Sequence, residues 1–269
     1  MKKSVRRNLF LIILLLLGSM DFYFRDSEYS ITGKVIENFN SEKGIKIANW
    51  NLQIFGVSKA NNPELMNFYR EKINDYDIIF IQEIRDESGT AFNKLCSLLD
   101  GYNCIASSRA GRTSSKEQYG LIYNESIKLN YFKDYNPDVQ NRWERPPIEV
   151  SFELSEFNLT IFNIHVKPDD VKNELDYLDD AALNKEYTVV LGDLNGDCSY
   201  YDNSKETEFE EWQWIIKDEE DTTSGNSNCA YDRIIVSDLL KDKITKQGID
   251  KKEIDEESDH YLIWFMLRK

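Results

Sequence analysis

A mixed, layered α/β fold is predicted by three features of this 269-residue chain. Short apolar runs alternate with helix-period segments along nearly its whole length, hydrophobic residues make up 41% and aromatics 13%, and neither an internal repeat nor a low-complexity tract interrupts the alternation. About 250 residues suits one α/β domain with a continuous core. In order, "IKIANWNLQIF" reads as a strand, the stretch around Pro63–Asn74 as a helix and "DIIFIQEI" as a buried strand; "TAFNKLCSLLD" returns to helical spacing. The strand-like runs "NCIASS", "QYGLIYN", "PIEVSFEL" and "NLTIFNIHV" follow, rich in β-branched and aromatic residues and bounded by polar or turn residues. "DDVKNELDYLDDAAL" is helix-like, and "TVVLGDLN", "YDRIIVS" and "HYLIWFML" complete the series as strands.

The N-terminus differs from the rest. Lys2, Lys3, Arg6 and Arg7 precede an apolar run from Leu9 to Leu17, the layout of an export signal, and that run is too short to span a bilayer comfortably. Gly18 and Ser19 make a poor cleavage site, so residues 1–20 are expected to be either a signal peptide or an uncleaved membrane anchor, and residues 21–43 a polar tether. A secreted or cell-surface location follows. The four cysteines, Cys96, Cys104, Cys198 and Cys229, are an even number in such a chain; bridging the last two would stabilise by roughly 3–4 kcal/mol on the loop-entropy model. No CxxC pair suggests zinc. The formal charge of −15 and pI near 4.7 exclude a long-range attraction to nucleic acid, so phosphate binding must come from local cations or bound metal.

Polar residues recur at the strand ends. Asn51 follows "IKIANW", Glu83 follows "DIIFIQ", His165 follows "LTIFNI", and Asp193 and Asn195 follow "VVL"; Asp232 precedes "RIIVS", and Asp259 with His260 precedes "YLIWF". One such residue is ordinary, because strands end where polarity begins. Six such places in one chain suggest a shared cleft at a sheet edge. The only two histidines of the chain both belong to this series. Two imidazoles with orienting carboxylates can act as base and acid near neutral pH, and the carboxylates and amides offer the hard oxygen ligands that Mg²⁺, Mn²⁺ or Ca²⁺ require. Metal-assisted phosphoester hydrolysis is the chemistry they imply.

The segments "IKIANWNLQIFG", "DIIFIQEIRD", "GRTSSKEQYGLIY", "ERPPI", "FNIHVKPDD", "GDLNGDCSYY", "NCAYDRIIV" and "ESDHYLIWF" resemble, in this order, the deoxyribonuclease I branch of the endonuclease/exonuclease/phosphatase superfamily. The resemblance covers about residues 44–269, which makes that stretch the expected catalytic domain. It implies a four-layer sandwich of two mixed β-sheets flanked by helices. It also implies hydrolysis of duplex DNA to 5′-phosphate products by activated water, by a monomer with Mg²⁺ or Mn²⁺ at the active site and structural Ca²⁺ elsewhere. By motif, Glu83 resembles the principal metal ligand, helped by Asn51. His165 resembles the imidazole at the scissile phosphate, oriented by Glu117, and His260 the second imidazole, held by Asp232. Asp193, Asn195 and Asp259 resemble the set that binds the remaining metal and the phosphate oxygens. Arg85 resembles an arginine placed in the minor groove and Arg145 one that binds phosphate; Asp221 and Thr223 resemble ligands of a Ca²⁺ loop, and Cys198 with Cys229 a family disulfide.

Departures from the family pattern are also legible. Ser115 stands where the family has a groove-packing tyrosine, which removes stacking area against deoxyribose. The segment "KDYNPDVQNRWERPP" is short and lacks a small disulfide loop, so a second family Ca²⁺ site is not expected, while Cys96 and Cys104 form a candidate pair that the type protein does not have. With so acidic a chain, DNA binding is expected to be weak and salt-sensitive. Two rival functions remain at this level: hydrolysis of a phospholipid or phosphoinositide head group at a membrane, and a catalytically silent surface module. The DNA-contact-like segments "RDESGT" and "RTSSKEQY" argue against the first, and the complete catalytic set against the second.

Overall fold

The computed structural model describes residues 44–268 apart from 203, 206, 226–227 and 253–255; the leader and tether expected in residues 1–43 lie outside the described residues. One six-stranded sheet is formed by β1 (Gly44–Phe55), β2 (Ile78–Ile84), β3 (Tyr102–Ala106), β4 (Gln118–Asn124), β11 (Ile244–Asp250) and β12 (Leu262–Arg268), in the order β11-β12-β1-β2-β4-β3. The second is formed by β5 (Lys128–Asp134), β6 (Ile148–Glu153), β7 (Asn158–Asn163), β8 (Thr188–Asp193), β9 (Gln213–Trp214) and β10 (Asp232–Val236), in the order β5-β6-β7-β8-β10-β9. Both sheets are mixed, because β1 runs parallel to β2 and β7 to β8, whereas their other pairings are antiparallel.

Each parallel pair needs a crossover, and helices supply it. Between β1 and β2 lie α1 (Val57–Ala60) and α2 (Pro63–Ile73); α3 (Thr90–Cys96) follows β2, and α4 (Val171–Ala182) joins β7 to β8. The start of α2 is fixed locally: the Asn62 side chain accepts hydrogen bonds from the Glu64 and Leu65 amides, and Pro63 occupies a first-turn position that needs no N–H donor.

Alternation along the strands sorts the apolar side chains into layers. Ile45, Ile47, Ile78 and Phe80 face the inter-sheet core with Ile161, Val189, Leu191 and Ile234. Their neighbours Ala48, Trp50, Ile79 and Ile81 face outward against Leu65, Tyr69, Phe92 and Leu95 of the helices. On the far side, Phe162, Val190 and Ile235 pack against Leu175 and Leu178 of α4. The result is the four-layer helix–sheet–sheet–helix sandwich. Strands buried on both faces explain why runs such as "DIIFI" and "TVVL" are continuously apolar. Three strands absent from the sequence reading, β5, β9 and β11, show no such run: β5 and β11 are sheet edges with mostly exposed or half-buried residues, and β9 is an edge of only two residues.

The two parallel pairs have a further consequence: β1, β2 and β8 end at Asn51–Phe55, Glu83–Ile84 and Asp193, and β7 is followed within two residues by His165. In open α/β sheets the carboxyl ends of parallel strands are where ligand crevices form.

Candidate active site

The rim is built from strand ends whose backbone leaves regular geometry. The β1–β2 register shifts between Asn51 and Phe55, and Gln53, Ile54 and Glu83 adopt φ of 40°, 57° and 59°, with Asn195 at 48°. Left-handed backbone in non-glycine residues costs on the order of 1–3 kcal/mol each and persists only where surroundings enforce it. Here the enforcing contacts are visible: the Gln53 amide donates to Asn51 Oδ1 (2.9 Å), and the Ile54 amide donates to Glu83 Oε2 (2.9 Å).

Two imidazoles meet at one carboxylate. His165 Nδ1 lies 2.8 Å from Glu117 Oε1, and its Nε2 lies 3.3 Å from Asp193 Oδ2. His260 Nδ1 lies 2.7 Å from Asp232 Oδ2, and its Nε2 lies 3.6 Å from the same Asp193 oxygen. Asn51 Nδ2 donates to that oxygen as well (3.1 Å) and sits 3.4 Å from Glu83 Oε1. With each Nδ1–H engaged by its own carboxylate, both Nε2 atoms are directed at the shared centre.

Electrostatics follow the neighbours. Burial disfavours charge on His165, but Glu117 and Asp193 outweigh it against the opposing Arg145 charge, and its pKa is raised. Burial likewise opposes charge on His260, and Asp232, Asp193 and Asp259 override it, so that its pKa is raised too. Glu117, although buried, is held below its ordinary value by His165, Arg145 and Arg85. Asp193 is also lowered against its burial, by the two imidazoles, the Asn195 amide and Asn51.

The donor set fits a hard divalent cation. Glu83, Glu117 and His165 present ligand atoms within 4.8 Å of one another. The contact of Glu83 Oε1 with Asn51 is a long 3.4 Å, beyond the usual N–H···O range, which leaves that oxygen open to a stronger partner. Oxygen ligands of this kind suit Mg²⁺ or Mn²⁺. A second grouping, Asp197 with Cys198 and Cys229, offers no thiolate, because the two sulfurs are bonded to each other.

The remaining expected residues are distributed as follows. Asp259, half exposed, has Oδ1 3.8 Å from His260 Nε2. The Asn195 amide donates to Asp193 Oδ1 (3.1 Å), and its side chain donates to the Val166 carbonyl (2.9 Å). Arg85 reaches both Glu83 and Glu117 at 3.3 Å and donates to the exposed Ser115 through its carbonyl (3.0 Å). Arg145 is different: its side chain is only 12% exposed and donates to the His165 and Val166 carbonyls (2.9 and 3.1 Å). Its observed contacts brace the His165 segment. Asp221 and Thr223 are not in the central cluster. Asp221 Oδ1 accepts from the Thr223 amide (3.1 Å), and Thr223 bridges to His260. Both disulfides, Cys198–Cys229 and Cys96–Cys104, are formed.

Several residues that organise the site escape a reading of strand ends, most of them because they lie inside the strands. Gln82, fully buried, accepts from the Asp193 amide (2.8 Å) and donates to the Ile164 carbonyl (2.7 Å), which fixes β2 to both halves of the β7–β8 pair. Gly192 permits this approach: a Cβ there would lie 2.0 Å from the Ile164 oxygen, and its φ is +149°. The Tyr119 hydroxyl accepts from the His165 amide (3.0 Å) and donates to the Arg145 carbonyl (3.1 Å). Trp50 Nε1 donates to the His260 carbonyl (2.9 Å), and Ser258 Oγ accepts from the His260 amide (3.0 Å) while donating to the Asn51 carbonyl (2.5 Å).

A double-sheet sandwich with paired imidazoles and acids at one rim defines a class of phosphoesterases. The chain belongs to the endonuclease/exonuclease/phosphatase family, whose model matches residues 48–260. Within it the chain is deoxyribonuclease I-like. Human deoxyribonuclease-1 is 34% identical over 222 residues, covering 73% of this chain and 78% of the human protein. Mouse deoxyribonuclease-1 is 32% identical over 263 residues, covering 84% of this chain and 92% of its own. Among solved structures, a conserved protein of unknown function from Enterococcus faecalis V583 has a TM-score of 0.65 at 15% identity, covering 84% of this chain and all of that one, a likeness of fold alone.

Proposed function

We propose that this protein is a divalent-metal-dependent endonuclease that hydrolyses DNA phosphodiesters to 5′-phosphate products. The observation that carries the reading is the convergence of His165 Nε2 and His260 Nε2 on Asp193 Oδ2, at 3.3 and 3.6 Å, with each imidazole backed by its own carboxylate. Mg²⁺ or Mn²⁺ held by Glu83 and Asn51, with Asp259 nearby, would supply Lewis-acid stabilisation of the charge that builds on phosphate oxygens. The chain's own residues do the rest. One imidazole takes a proton from water as its oxygen bonds to phosphorus; the other gives a proton to the departing 3′ oxygen as the P–O3′ bond breaks. Asn195 and Asn51 orient the phosphate between them, and Glu117 and Asp232 keep the rings facing it. Arg85, 22% exposed at the rim, would enter the minor groove of the bound DNA.

Export or surface anchoring is part of the proposal, supported by the leader sequence and by two disulfides. Ca²⁺ in the loop of Asp221 and Thr223 would act structurally, because that loop touches the strand end bearing His260. A metal screen on supercoiled plasmid, with end-group analysis, tests the reading. Nicking that requires Mg²⁺ or Mn²⁺, stops with chelator and yields 5′-phosphate ends is expected; metal-independent nicking or 3′-phosphate ends would overturn it.

A further inference from the structure

Two of the chain segments that assemble the site are far apart in sequence. The hook at the end of β1 presents Asn51 and holds Glu83 through the Ile54 amide; the segment 257–260 presents Asp259 and His260. One side chain outside both spans them. Lys59, half-buried on α1, donates through Nζ to the Leu52 carbonyl (2.9 Å) and to the Glu257 carbonyl (2.8 Å). The Tyr69 hydroxyl of α2 donates to the same Glu257 oxygen (2.6 Å).

We infer that Lys59 is a positioning residue, an ammonium brace that fixes the distance between the Asn51–Glu83 side of the site and the Asp259–His260 side. The geometry favours a cation for this task. Leu52 immediately follows Asn51, and its carbonyl lies at the start of the strained turn containing Gln53 and Ile54, where a lost partner would let the backbone relax away from Glu83. Glu257 lies three residues before His260, in a segment also tied by Tyr69 at Glu257 itself and, further along, by Ser258 to Asn51 and Trp50 to His260. A single Nζ with three donors satisfies two carbonyls that face each other across the gap, which no neutral side chain of similar reach does as well. Burial lowers the Lys59 pKa, and the surrounding acids Asp259, Glu83, Glu256 and Glu257 work against that.

This inference rests on the reading of the site as a phosphodiesterase, and its test separates the two. The chain has two histidines, so each ring gives one set of imidazole NMR signals. In metal-free Lys59→Met, the His260 signals should move while those of His165 stay. In the metal-loaded enzyme, kcat on plasmid DNA should fall roughly 10- to 100-fold with KM changed less than about twofold. Lys59→Arg, which keeps a charged multiple donor, should restore most of the rate. Unmoved His260 signals, or a kcat within about twofold of the parent, would overturn the brace. Should Lys59→Met fail to fold by circular dichroism, Tyr69→Phe removes the other donor to Glu257 and must give the same selective movement of His260; signals that stay in place there also overturn it. A parent protein that cuts no phosphodiester removes the functional reading instead, and the metal-free spectra still decide the brace.

Discussion

The two histidine arms make nearly the same contact, 2.8 Å to Glu117 and 2.7 Å to Asp232, in opposite surroundings. Glu117 has Arg85 at 3.3 Å and Arg145 at 3.7 Å, so the acid that orients His165 lies between two cations, although His165 also faces Asp193. Around His260 the charged neighbours are acids: Asp232, Asp193 and Asp259. Glu117 is accordingly held below its ordinary pKa, whereas burial and the Asp193 charge push Asp232 up despite its imidazole partner. A similar hydrogen bond therefore serves two purposes. In the first arm two arginines join the imidazole in favouring the carboxylate, and in the second the imidazole is opposed by burial and the Asp193 charge.

Removing each acid should expose that contrast. Glu117→Gln leaves buried Arg145 without its anion and Arg85 with Glu83 alone, and it is expected to cost about 3–5 kcal/mol of stability. Asp232→Asn replaces a carboxyl that burial already disfavours as an anion, so its thermal midpoint should fall much less. Both should lose cleavage, by about 10²- to 10⁴-fold, because each frees a ring from its orientation. Equal losses of midpoint in paired thermal melts would break the contrast. Gly192→Ala comes next. The added Cβ meets the carbonyl of Ile164, the residue before His165, and the substitution should cost about 3 kcal/mol. Imidazole NMR should show the His165 signals moving more than those of His260; the reverse would show that the strain is taken up by the other arm.

The smallest contrast concerns the disulfides. Cys198–Cys229 closes a separation of 31 residues beside Asp232, and Cys96–Cys104 closes one of 8 at the edge of the other sheet. On the loop-entropy model, replacing the first pair by serine should cost about 1 kcal/mol more than replacing the second. Only the first replacement should also depress cleavage, since it loosens the segment leading to Asp232. Plasmid nicking by the two double variants checks this, and a rate loss confined to the Cys96–Cys104 variant would count against the placement.

What could be read beforehand was what lies at strand ends. Asn51, Glu83, His165, Asp193, Asp232 and His260 interrupt apolar runs, and a polar residue there stands out without any knowledge of the fold. Gln82 and Tyr119 did not stand out, because each sits within a strand and its partners come from another sheet or a distant loop. Arg145 shows the converse. The motif suggests a phosphate contact, yet its guanidinium is occupied with the carbonyls of His165 and Val166, a use that depends on how the chain turns after β7. The edge strands β5 and β11 were illegible for a related reason: half-exposed strands carry no long apolar signal.

The central claim is that both imidazoles act on one phosphodiester at the Asp193 centre. It is tested most directly by nicking of supercoiled plasmid in Mg²⁺ by the parent protein, His165→Ala and His260→Ala, with circular dichroism to verify the fold. The account predicts that each variant keeps its fold and loses at least about 10²-fold in rate. Full activity in either folded variant would contradict it.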